Sequence, residues 1–366
     1  MSEADRAWIT LANAHVRVSE YFALADRFGD AEAITRQSAA ELQDAGLAAH
    51  KSKAITQPDI AQIDRELDWL DAANHHLVTC HGDACPNLLR QIPAPPLLLY
   101  VHGDAERLHL PALAIVGSRN PTQAGSRNAF EFAHHLGSNG FTIVSGLAQG
   151  IDTAAHRGAI GAGAGTIAFL GHGIDRVYPA SNRELAHEIA TDGALVTEYP
   201  LGTHPDKRHF PERNRLISGL CLGTLVVEAA RRSGSLITAR LAAEQGREVF
   251  ALPGSIHNPL ARGCHTLIKQ GAKLVETADD IVAELAPLTG RVLQITVESR
   301  PNEPIEEGKD DEYSALRRIL GHDPISADEL AEQSGLTIDR VSSMLLILEL
   351  HGEVESLSGG RYSLLS

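Results

Sequence analysis

The stretch LAIVGSRNPTQAG, residues 113–125, decides the fold class. It begins as a near-continuous apolar run, ends in the turn Gly117-Ser118-Arg119 and leads into a helical stretch. An apolar run without polar alternation is typical of a strand that is buried on both faces of a sheet. The stretch therefore predicts one βα unit of a parallel sheet that is covered by helices.

Six further segments share this design. Each is a short apolar or β-branched run that is followed by a glycine or proline turn and then by a helical stretch. The runs are 97–101, 141–146, 166–171, 194–200, 224–229 and 248–254. They recur roughly every 25 to 30 residues, which is about the length of one βα unit. We therefore expect an α/β fold with a doubly wound, mainly parallel sheet and helices on both faces.

Two smaller regions flank the predicted sheet. The N-terminal region has helical character, and Ser38 and Glu41 are spaced as a capping box. The C-terminal region predicts three helices and a β-hairpin, the order of a winged helix-turn-helix, with a second capping box at Ser326 and Glu329. A proline- and acid-rich segment before it predicts a linker. The expected boundaries are 1–75 for the helical domain, 76–288 for the sheet domain, 289–310 for the linker and 311–366 for the winged helix.

Composition excludes several classes of protein. The 366-residue chain is 43% hydrophobic and 22% charged, which is ordinary for a globular protein. It has no apolar run of about 18 residues that could cross a membrane, and its first residues lack the pattern of a signal peptide. Its four cysteines form no CxxC pair, and its 18 histidines show no metal-binding spacing. We therefore expect a cytoplasmic protein with no membrane association, no metal and no cofactor.

Charge is distributed unevenly along the chain. Residues 204–270 contain ten lysines and arginines against five acids, so the rest of the chain must carry −20 to give the total of −15. A basic surface on an acidic body can bind a polyanion there while the rest of the protein repels it. Residues 301–366 contain fourteen acids and five bases. The winged helix is therefore expected to be a protein-contact or regulatory module, and this charge disfavours a transcription regulator that reads DNA through it.

The basic region includes HFPERNRLISGL, residues 209–220, which predicts a helix. At about 100° per residue, Arg213 lies on the buried stripe of this helix, one turn before its apolar residues. A buried arginine needs a partner, which is either a carboxylate such as Glu198 or Glu228 or the phosphate of a ligand. Arg215 projects to the opposite side and is interpreted, on its own, as a solvated charge.

Two basic residues, Lys207 and Arg208, precede this helix, and Phe210 lies at its entry. Two interpretations are open. The ring can stack on a base of a single-stranded nucleic acid while the cations follow its backbone, and such stacking is worth about 1–3 kcal/mol per base. Alternatively, the ring is a hydrophobic staple at the start of the helix.

The carboxyl ends of the predicted strands carry glycine-rich turns. In an open parallel sheet these turns converge at one edge, where ligands bind. Glycines let backbone amides approach an anion, and the following helix N-termini favour negative charge. Arg119, in the first of these turns, can hold a phosphate with two hydrogen bonds. That turn contains neither GxGxxG nor GxxxxGK[ST], which disfavours dinucleotide binding and NTP hydrolysis.

Five motifs together resemble those of the DNA-processing protein A family, also called DprA or Smf. They are AIVGSRNPTQAG, VSGLAQGIDTAAHRGAI, FPERNRLISGL, TLVVEAARRSGSLITARLAAEQGREVFALPG and GCHTLIKQGAKLV, in this order between about residues 95 and 275. The resemblance implies an extended Rossmann-like fold, with a sterile-alpha-motif-like N-terminal domain and a C-terminal winged helix. It further implies binding of single-stranded DNA, a homodimer, and loading of the recombinase RecA during natural transformation, without catalytic turnover.

The resemblance also implies which residues contact DNA and the partner subunit. For DNA they are Gly117, Ser118, Arg119, Ser145, Gly146, Gly150, Asp152, Lys207, Arg208, Phe210, Arg213, Asn214, Arg215, Ser233, Gly234 and Ser235. For the dimer interface they are Cys264, Leu267 and Ile268, at the end of the Rossmann-like domain. Between them, His265 stands where the family motif GCNxLI has asparagine.

A nucleotide-cleaving enzyme is the main alternative. The same glycine-rich edge, with Glu198 and Glu228, is similar in outline to phosphoribohydrolases, which cleave the glycosidic bond of a nucleoside monophosphate. Such a reaction needs a carboxylate close to the ribose and a closed pocket for one phosphate. The PGGxGTxxE loop of those enzymes is absent, and SGS within RRSGSLITA stands in its place. Release of free base from nucleoside monophosphates separates the two hypotheses.

Overall fold

The computed structural model describes residues 2–79, 85–298, 316, 319–320, 325–350, 354–357 and 361–364. The strands are β1 His75–Thr79, β2 Leu98–Gly103, β3 Ala112–Val116, β4 Thr142–Ser145, β5 Thr166–Phe169, β6 Ala194–Thr197, β7 Gly223–Val226, β8 Glu248–Ala251, β9 Lys273–Leu274, β10 Ile325–Ser326, β11 Val354–Leu357 and β12 Arg361–Leu364. The helices are α1 Glu3–Asn13, α2 Val18–Phe28, α3 Ala31–Thr35, α4 Ala39–Asp44, α5 Ala49–Thr56, α6 Ile60–Leu70, α7 Asn87–Arg90, α8 Gln123–Ser138, α9 Ile151–Gly161, α10 Arg183–Asp192, α11 His209–Leu220, α12 Ser235–Glu244, α13 Arg262–Lys269, α14 Ala278–Glu298, α15 Ala327–Ser334 and α16 Ile338–Leu350.

Nine strands form one sheet in the order β1-β2-β6-β5-β4-β3-β7-β8-β9. All neighbours from β6 to β9 in this order are parallel, whereas β2 pairs antiparallel with both β1 and β6. This arrangement confirms the predicted doubly wound, mainly parallel sheet. The edge strands β1 and β9 lie outside the predicted runs, because β1 is half polar and β9 has only two residues.

Helices cover both faces of the sheet, as near-continuous apolar strands require. One face packs against α11 and α13 through Leu216 and Leu267. The other packs against α8, α9 and α14 through Phe132, Ala155 and Ile281. Burial of this apolar surface stabilises the sheet by about 25 cal/mol per Å². Because both faces are apolar, a polar site must lie at an edge of the sheet.

The N-terminal helices α1 to α6 contribute to two cores. The first is their own and includes Tyr21. The second is shared with the sheet, because Ile9 of α1 and Leu67 of α6 pack among residues of β2, β5 and β6. The predicted capping box of Ser38 and Glu41 is present at the start of α4. The helical region is therefore docked on the sheet.

A buried hydrogen-bond network joins the helical region to the sheet. Tyr100 Oη on β2 donates to Glu66 Oε2 on α6 at 2.6 Å, and Asn13 Nδ2 donates to the same carboxylate. Gln62 Nε2 donates to Glu66 and, at 2.8 Å, to the carbonyl of Leu201 after β6. Burial raises the pKa of Glu66, and the three donors oppose that rise.

The C-terminal region contains winged-helix elements. α15 and α16 pack around Leu330, Val341 and Leu345, and β10, β12 and β11 form a three-stranded sheet in that order. The second predicted capping box, Ser326 with Glu329, is present at the start of α15. Most of the first predicted helix of this domain lies outside the described residues.

The predicted linker is partly helical. α14 continues through Pro287 to Glu298, so 289–298 extend this helix, whereas 299–310 lie outside the described residues. A proline inside a helix removes one backbone hydrogen bond but does not have to end the helix. The domain boundaries themselves remain a prediction.

Candidate nucleic-acid interface

An open cleft of about 460 Å³ lies at the carboxyl edge of the sheet. It is found where the chain, after adding β4 to β6 on one side of β3, crosses to add β7 on the other. Ligands bind open α/β sheets at such switch points. The cleft is lined by ten of the residues predicted to contact DNA, namely Gly117, Arg119, Asp152, Lys207, Phe210, Arg213, Asn214, Ser233, Gly234 and Ser235. Gly146 lines a smaller recess that shares several of these walls.

Arg213 is the buried cation of the cleft, with 4% of its surface exposed. Its guanidinium packs against the backbone at Gly146, where an added Cβ would lie 1.9 Å from Nη1. Nε and Nη1 have no hydrogen-bond partner among the described residues. Burial lowers the pKa of Arg213 to about 10. Its position on the buried stripe of α11 confirms the periodicity argument.

The carboxylate of Asp152 compensates this charge in part. It accepts hydrogen bonds from the backbone N–H groups of Gly146 at 3.1 Å and Ala148 at 3.3 Å, so it also fixes the turn after β4. Burial raises the pKa of Asp152, and the positive charge of Arg213 opposes that rise. Burial therefore disfavours the charged form of both residues more than their attraction favours it. A phosphate oxygen in the cleft would supply the acceptor that Arg213 lacks.

Arg119, Phe210 and Tyr178 lie together at the mouth of the cleft. The guanidinium carbon of Arg119 is 5.5 Å from the centroid of the Phe210 ring, within cation–π range. The Tyr178 and Phe210 centroids are 5.7 Å apart. Phe210 packs closely on Gly171, where an added Cβ would lie 2.9 Å from the ring. Because α11 begins at His209, Phe210 lies in the first turn and not before the N-cap, so the interpretation as a hydrophobic staple is wrong.

Two of the predicted contact residues form ion pairs instead. Arg215 Nη2 lies 2.5 Å from Glu198 Oε2, and this pair is about four-fifths buried. Arg208 Nη2 lies 3.0 Å from Asp206 Oδ2. Neither arginine lines the cleft. The interpretation of Arg215 as a solvated charge is wrong, because the side of α11 that carries it faces the turn after β6.

The cations that do line the cleft are Arg119, Lys207 and Arg213, and within the described chain none of them forms an ion pair with a carboxylate. Asp152 is the acid among the lining residues. Formal charges of +3 and −1 therefore give the lining a net +2. The cleft attracts anions, although the protein as a whole is acidic.

Three predicted contact residues shape the turns beneath the cleft and do not line it. Ser118 Oγ accepts a hydrogen bond from the backbone N–H of Asn120 at 3.1 Å. Ser145 is fully buried, and its Oγ donates to the carbonyl of Ile115 at 2.6 Å. Gly150 has φ 82° and packs against the carbonyl of Ser118, a position that a side chain could not share.

Ser233, Gly234 and Ser235 lead into the first turn of α12. The hydroxyls of Ser233 and Ser235 are 2.7 Å apart, and an added Cβ at Gly234 would point into open space. The N-cap residue of α12 is Gly234, which has no side chain to cap the helix, and Ser233 Oγ accepts a hydrogen bond from the N–H of Ser235 at 3.3 Å. A helix N-terminus of this kind favours a nearby anion.

The two carboxylates that the enzyme hypothesis requires are engaged elsewhere. Glu198 is paired with Arg215. Glu228 accepts hydrogen bonds from Thr122 N–H at 2.9 Å and from Thr122 Oγ1 at 2.7 Å, so it fixes the start of α8. Neither carboxylate lines the cleft. The arrangement offers no pair of free carboxylates for acid–base chemistry in the described cleft.

Tyr178 lines the cleft although the predicted site does not include it. It follows the Gly171-His172-Gly173 turn after β5, and 47% of its surface is exposed. An aromatic residue just beyond a glycine-rich turn of the binding edge is the signal that identifies it. The other lining residues outside the predicted site are Val116, Ala148, Gln149, Pro179, Pro211, Ile217 and Thr238.

The residues implied for the dimer interface differ in exposure. Cys264 is fully buried, and its Sγ lies 3.5 Å from the carbonyl of Val226. Leu267 is 9% exposed and belongs to the same core. Ile268 is partly exposed. Cys264 is therefore wrong as a subunit contact, because it faces the sheet, whereas a contact through Ile268 stays a prediction.

The described residues contain neither a metal-binding cluster nor a membrane-spanning helix. No group of three or more His, Cys, Asp and Glu side chains among them could hold a metal ion. No helix within them is long and apolar enough to cross a membrane.

Comparison with protein families decides the relationship. Residues 76–286 match the model of DNA recombination-mediator protein A, and residues 300–360 match the DprA winged helix domain. The chain belongs to the DprA family. The resemblance of the five motifs is thereby confirmed.

Relatives of the DprA family match along most of the chain. Protein Smf of Escherichia coli K12 is 40% identical over 320 residues, which cover 87% of this chain and 85% of that protein. The X-ray structure of DprA from Streptococcus pneumoniae matches with a TM-score of 0.69 at 36% identity, over 78% of this chain and 99% of that one. A structure that concerns the single-stranded DNA binding mode of DNA processing protein A from Helicobacter pylori matches with a TM-score of 0.51 at 32% identity, over 55% of this chain and 92% of that one.

Proposed function

We propose that this DprA-family protein binds single-stranded DNA in the cleft and does not cleave it. The observation that carries the proposal is the combination, in one cleft, of two aromatic rings and three cations that form no ion pair within the described chain. Cations that hold phosphates and rings that stack bases are the two components of sequence-tolerant single-strand binding. The single-stranded DNA binding mode of the Helicobacter pylori protein supports it.

We further propose that the protein acts in the cytoplasm as a homodimer and loads RecA on the bound strand during natural transformation. The description of its family as recombination mediators supports this role. A mediator has to hold a flexible strand without reacting with it, so that a recombinase can replace it. Salt-dependent phosphate contacts and stacking meet this requirement, because each contact is individually weak.

Cleavage of nucleoside monophosphates is less well supported. The carboxylates Glu198 and Glu228 are occupied by Arg215 and Thr122. Asp152, which does line the cleft, is held by two backbone N–H groups. A general base has to reach the proton that it abstracts. Incubation of the protein with nucleoside monophosphates should therefore release no free base above the uncatalysed rate.

Titration of a labelled oligonucleotide of mixed sequence with the full-length protein tests the proposed binding. The single strand should bind more tightly than its duplex, and the affinity should fall steeply as salt rises, since counterions are released. In a second assay the protein should increase assembly of RecA on the same strand. Absence of binding at low salt would overturn the proposal, whereas binding without RecA assembly would overturn only the mediator role.

A further inference from the structure

Three arginines lie next to the cleft on its β7 and β8 side, outside the site described above. Arg231 and Arg232 directly precede the lining residue Ser233, and Arg262 is the first residue of α13. All three side chains are exposed. We refer to Arg231, Arg232 and Arg262 as the basic rim.

Two backbone hydrogen bonds join the loops that carry the basic rim. The N–H of Ala229 donates to the carbonyl of Leu260 at 2.7 Å, and the N–H of Gly263 donates to the carbonyl of Ala229 at 2.8 Å. An added Cβ at Gly263 would lie 2.5 Å from that carbonyl, so the two loops are in direct backbone contact. β7 and β8 are parallel neighbours, which are about 4.8 Å apart. The basic rim therefore continues the edge of the cleft toward β8.

Charge on the two sides of the cleft differs. On the β5 and β6 side three arginines are paired with acids, Arg176 with Asp175, Arg208 with Asp206 and Arg215 with Glu198, and the cation that remains toward the cleft is Lys207. On the β7 and β8 side, residues 229–243 and 249–275 contain no Asp or Glu. None of the rim arginines forms an ion pair in the part of the chain that the structure describes. Glu244 and Glu248 lie between these two ranges, at the end of α12 and the start of β8, which is the opposite edge of the sheet from the cleft, and the next acidic residue is Glu276, after β9.

We propose that a DNA strand longer than the cleft leaves it across the basic rim, toward β8 and β9, and not over the turn after β6. This inference rests on the proposed function and adds a direction to it. Residues 229–243 and 252–269 contain no Phe, Tyr or Trp, so the basic rim has no ring on which a base could stack. Its contacts are with phosphates, which makes them independent of sequence and sensitive to salt.

Removal of two rim charges tests the direction of the strand. The variant R231Q/R232Q is compared with K53Q/R157Q, which removes two exposed charges on α5 and α9. Both are titrated with oligo(dT) of about 4 and about 16 nucleotides, which is the range of site sizes known for OB folds that bind single strands. The full-length protein is used throughout, at several salt concentrations.

The expected result depends on the length of the strand. R231Q/R232Q should bind the short strand within about twofold of the wild type, because neither arginine lines the cleft. It should bind the long strand several-fold more weakly. The salt slope, which is the slope of log K against the logarithm of the salt concentration, should be shallower by about 1.4, since each phosphate contact of a single strand contributes about 0.7. K53Q/R157Q should bind both strands as the wild type does.

Three outcomes contradict the inference. If R231Q/R232Q binds the long strand as the wild type does, the strand does not cross the basic rim. If it loses affinity for both lengths equally, the arginines act on the cleft itself. If K53Q/R157Q loses as much affinity for the long strand, net charge and not position is responsible. Failure of the wild type to bind either strand would instead contradict the proposed function.

Discussion

The charged guanidinium of Arg213 is buried where the described residues supply too few hydrogen-bond acceptors. Its Nε and Nη1 lack hydrogen-bond partners among the described residues, and Asp152 is shared with the turn after β4. A buried charge without complete compensation costs several kcal/mol, so such groups are found where a ligand completes them. The side chain is therefore best explained as part of a binding site, not as a contribution to stability.

The ring of Phe210 provides a residue-level test of base stacking. F210L keeps an apolar side chain but removes the ring, so affinity for oligo(dT) should fall by about 1–3 kcal/mol, which is roughly five- to 150-fold. The matched control is F130L, which removes a ring that is 40% exposed on α8, outside the cleft. Fluorescence anisotropy measures both. Equal affinities of the two variants would exclude stacking on Phe210.

His156 is a buried histidine whose tautomer follows from its neighbours. Its Nδ1 lies 2.8 Å from Thr166 Oγ1, and the Thr166 hydroxyl donates to the carbonyl of Ile143 at 2.5 Å. The hydroxyl can therefore only accept from His156, which places the imidazole proton on Nδ1 and leaves Nε2 without one. Burial, and then the charge of Arg213, lower the pKa of His156 to about 3.

This shift predicts a loss of stability in acid. Below the ordinary pKa of 6.5 the unfolded chain binds a proton at His156, whereas the folded protein does not until about 3. The free energy of unfolding should therefore decrease as pH falls through this window, by up to about 1.4 kcal/mol per pH unit from this residue. H156Q should show a correspondingly smaller decrease in urea unfolding experiments. Parallel pH profiles for the two proteins would contradict the shift.

At the scale of elements, the turns after the strands could be predicted from the sequence, whereas the contacts between these turns and the helices could not. Glycine-rich ends of apolar runs and the helical period placed Gly117, Arg119 and Arg213 at one edge, because strand and helix geometry are local properties. The ion pair of Arg215 with Glu198 depends on how α11 docks against the turn after β6. Such docking is set by packing between distant segments, which the pattern of a single segment does not contain.

Gly146 and Gly234 lie at this edge and differ in what an added methyl group would meet. An added Cβ at Gly146 would lie 1.9 Å from Nη1 of Arg213, whereas at Gly234 it would meet nothing within 4 Å. G146A should fold, since the flexible end of Arg213 can move, but it should lose about as much DNA affinity as R213A. G234A, which also alters a lining glycine, should bind normally.

A double-mutant comparison measures whether Gly146 acts through Arg213. The combined variant G146A/R213A should bind no more weakly than R213A, because the group displaced by the methyl is already absent. Anisotropy titrations with one oligonucleotide suffice. Additive losses would show that Gly146 affects binding by another route.

At the scale of the whole molecule, the helical region and the sheet form one packed unit. The sequence predicts a separate helical domain, and a helical pattern does not show which surface the buried residues of a helix contact. The structure places Ile9 and Leu67 on the sheet, beside the hydrogen bond from Tyr100 to Glu66. Which surface a buried stripe contacts is a tertiary property, so this docking was not predictable from the sequence.

Loss of the Tyr100 hydroxyl should destabilise both regions together. Y100F removes a donor from the buried carboxylate of Glu66, and a buried acceptor that loses its partner costs about 1–3 kcal/mol. The control Y178F removes an exposed hydroxyl and should cost little. Urea unfolding should show one transition for both variants. A separate, earlier transition of the N-terminal helices in Y100F would contradict the shared core.

The most direct test compares the DNA affinity of a variant that lacks cations of the cleft with that of a variant that lacks a cation held in an ion pair outside it. Affinity for a single-stranded oligonucleotide is determined across salt concentrations for wild type, R119Q/K207Q and R208Q. We predict that R119Q/K207Q binds far more weakly, with a salt slope that is shallower by about 1.4. R208Q, which removes an arginine paired with Asp206 outside the cleft, should bind nearly as the wild type does. If R208Q loses as much affinity as R119Q/K207Q, or if none of the proteins binds the strand, the cleft is not the DNA-binding site.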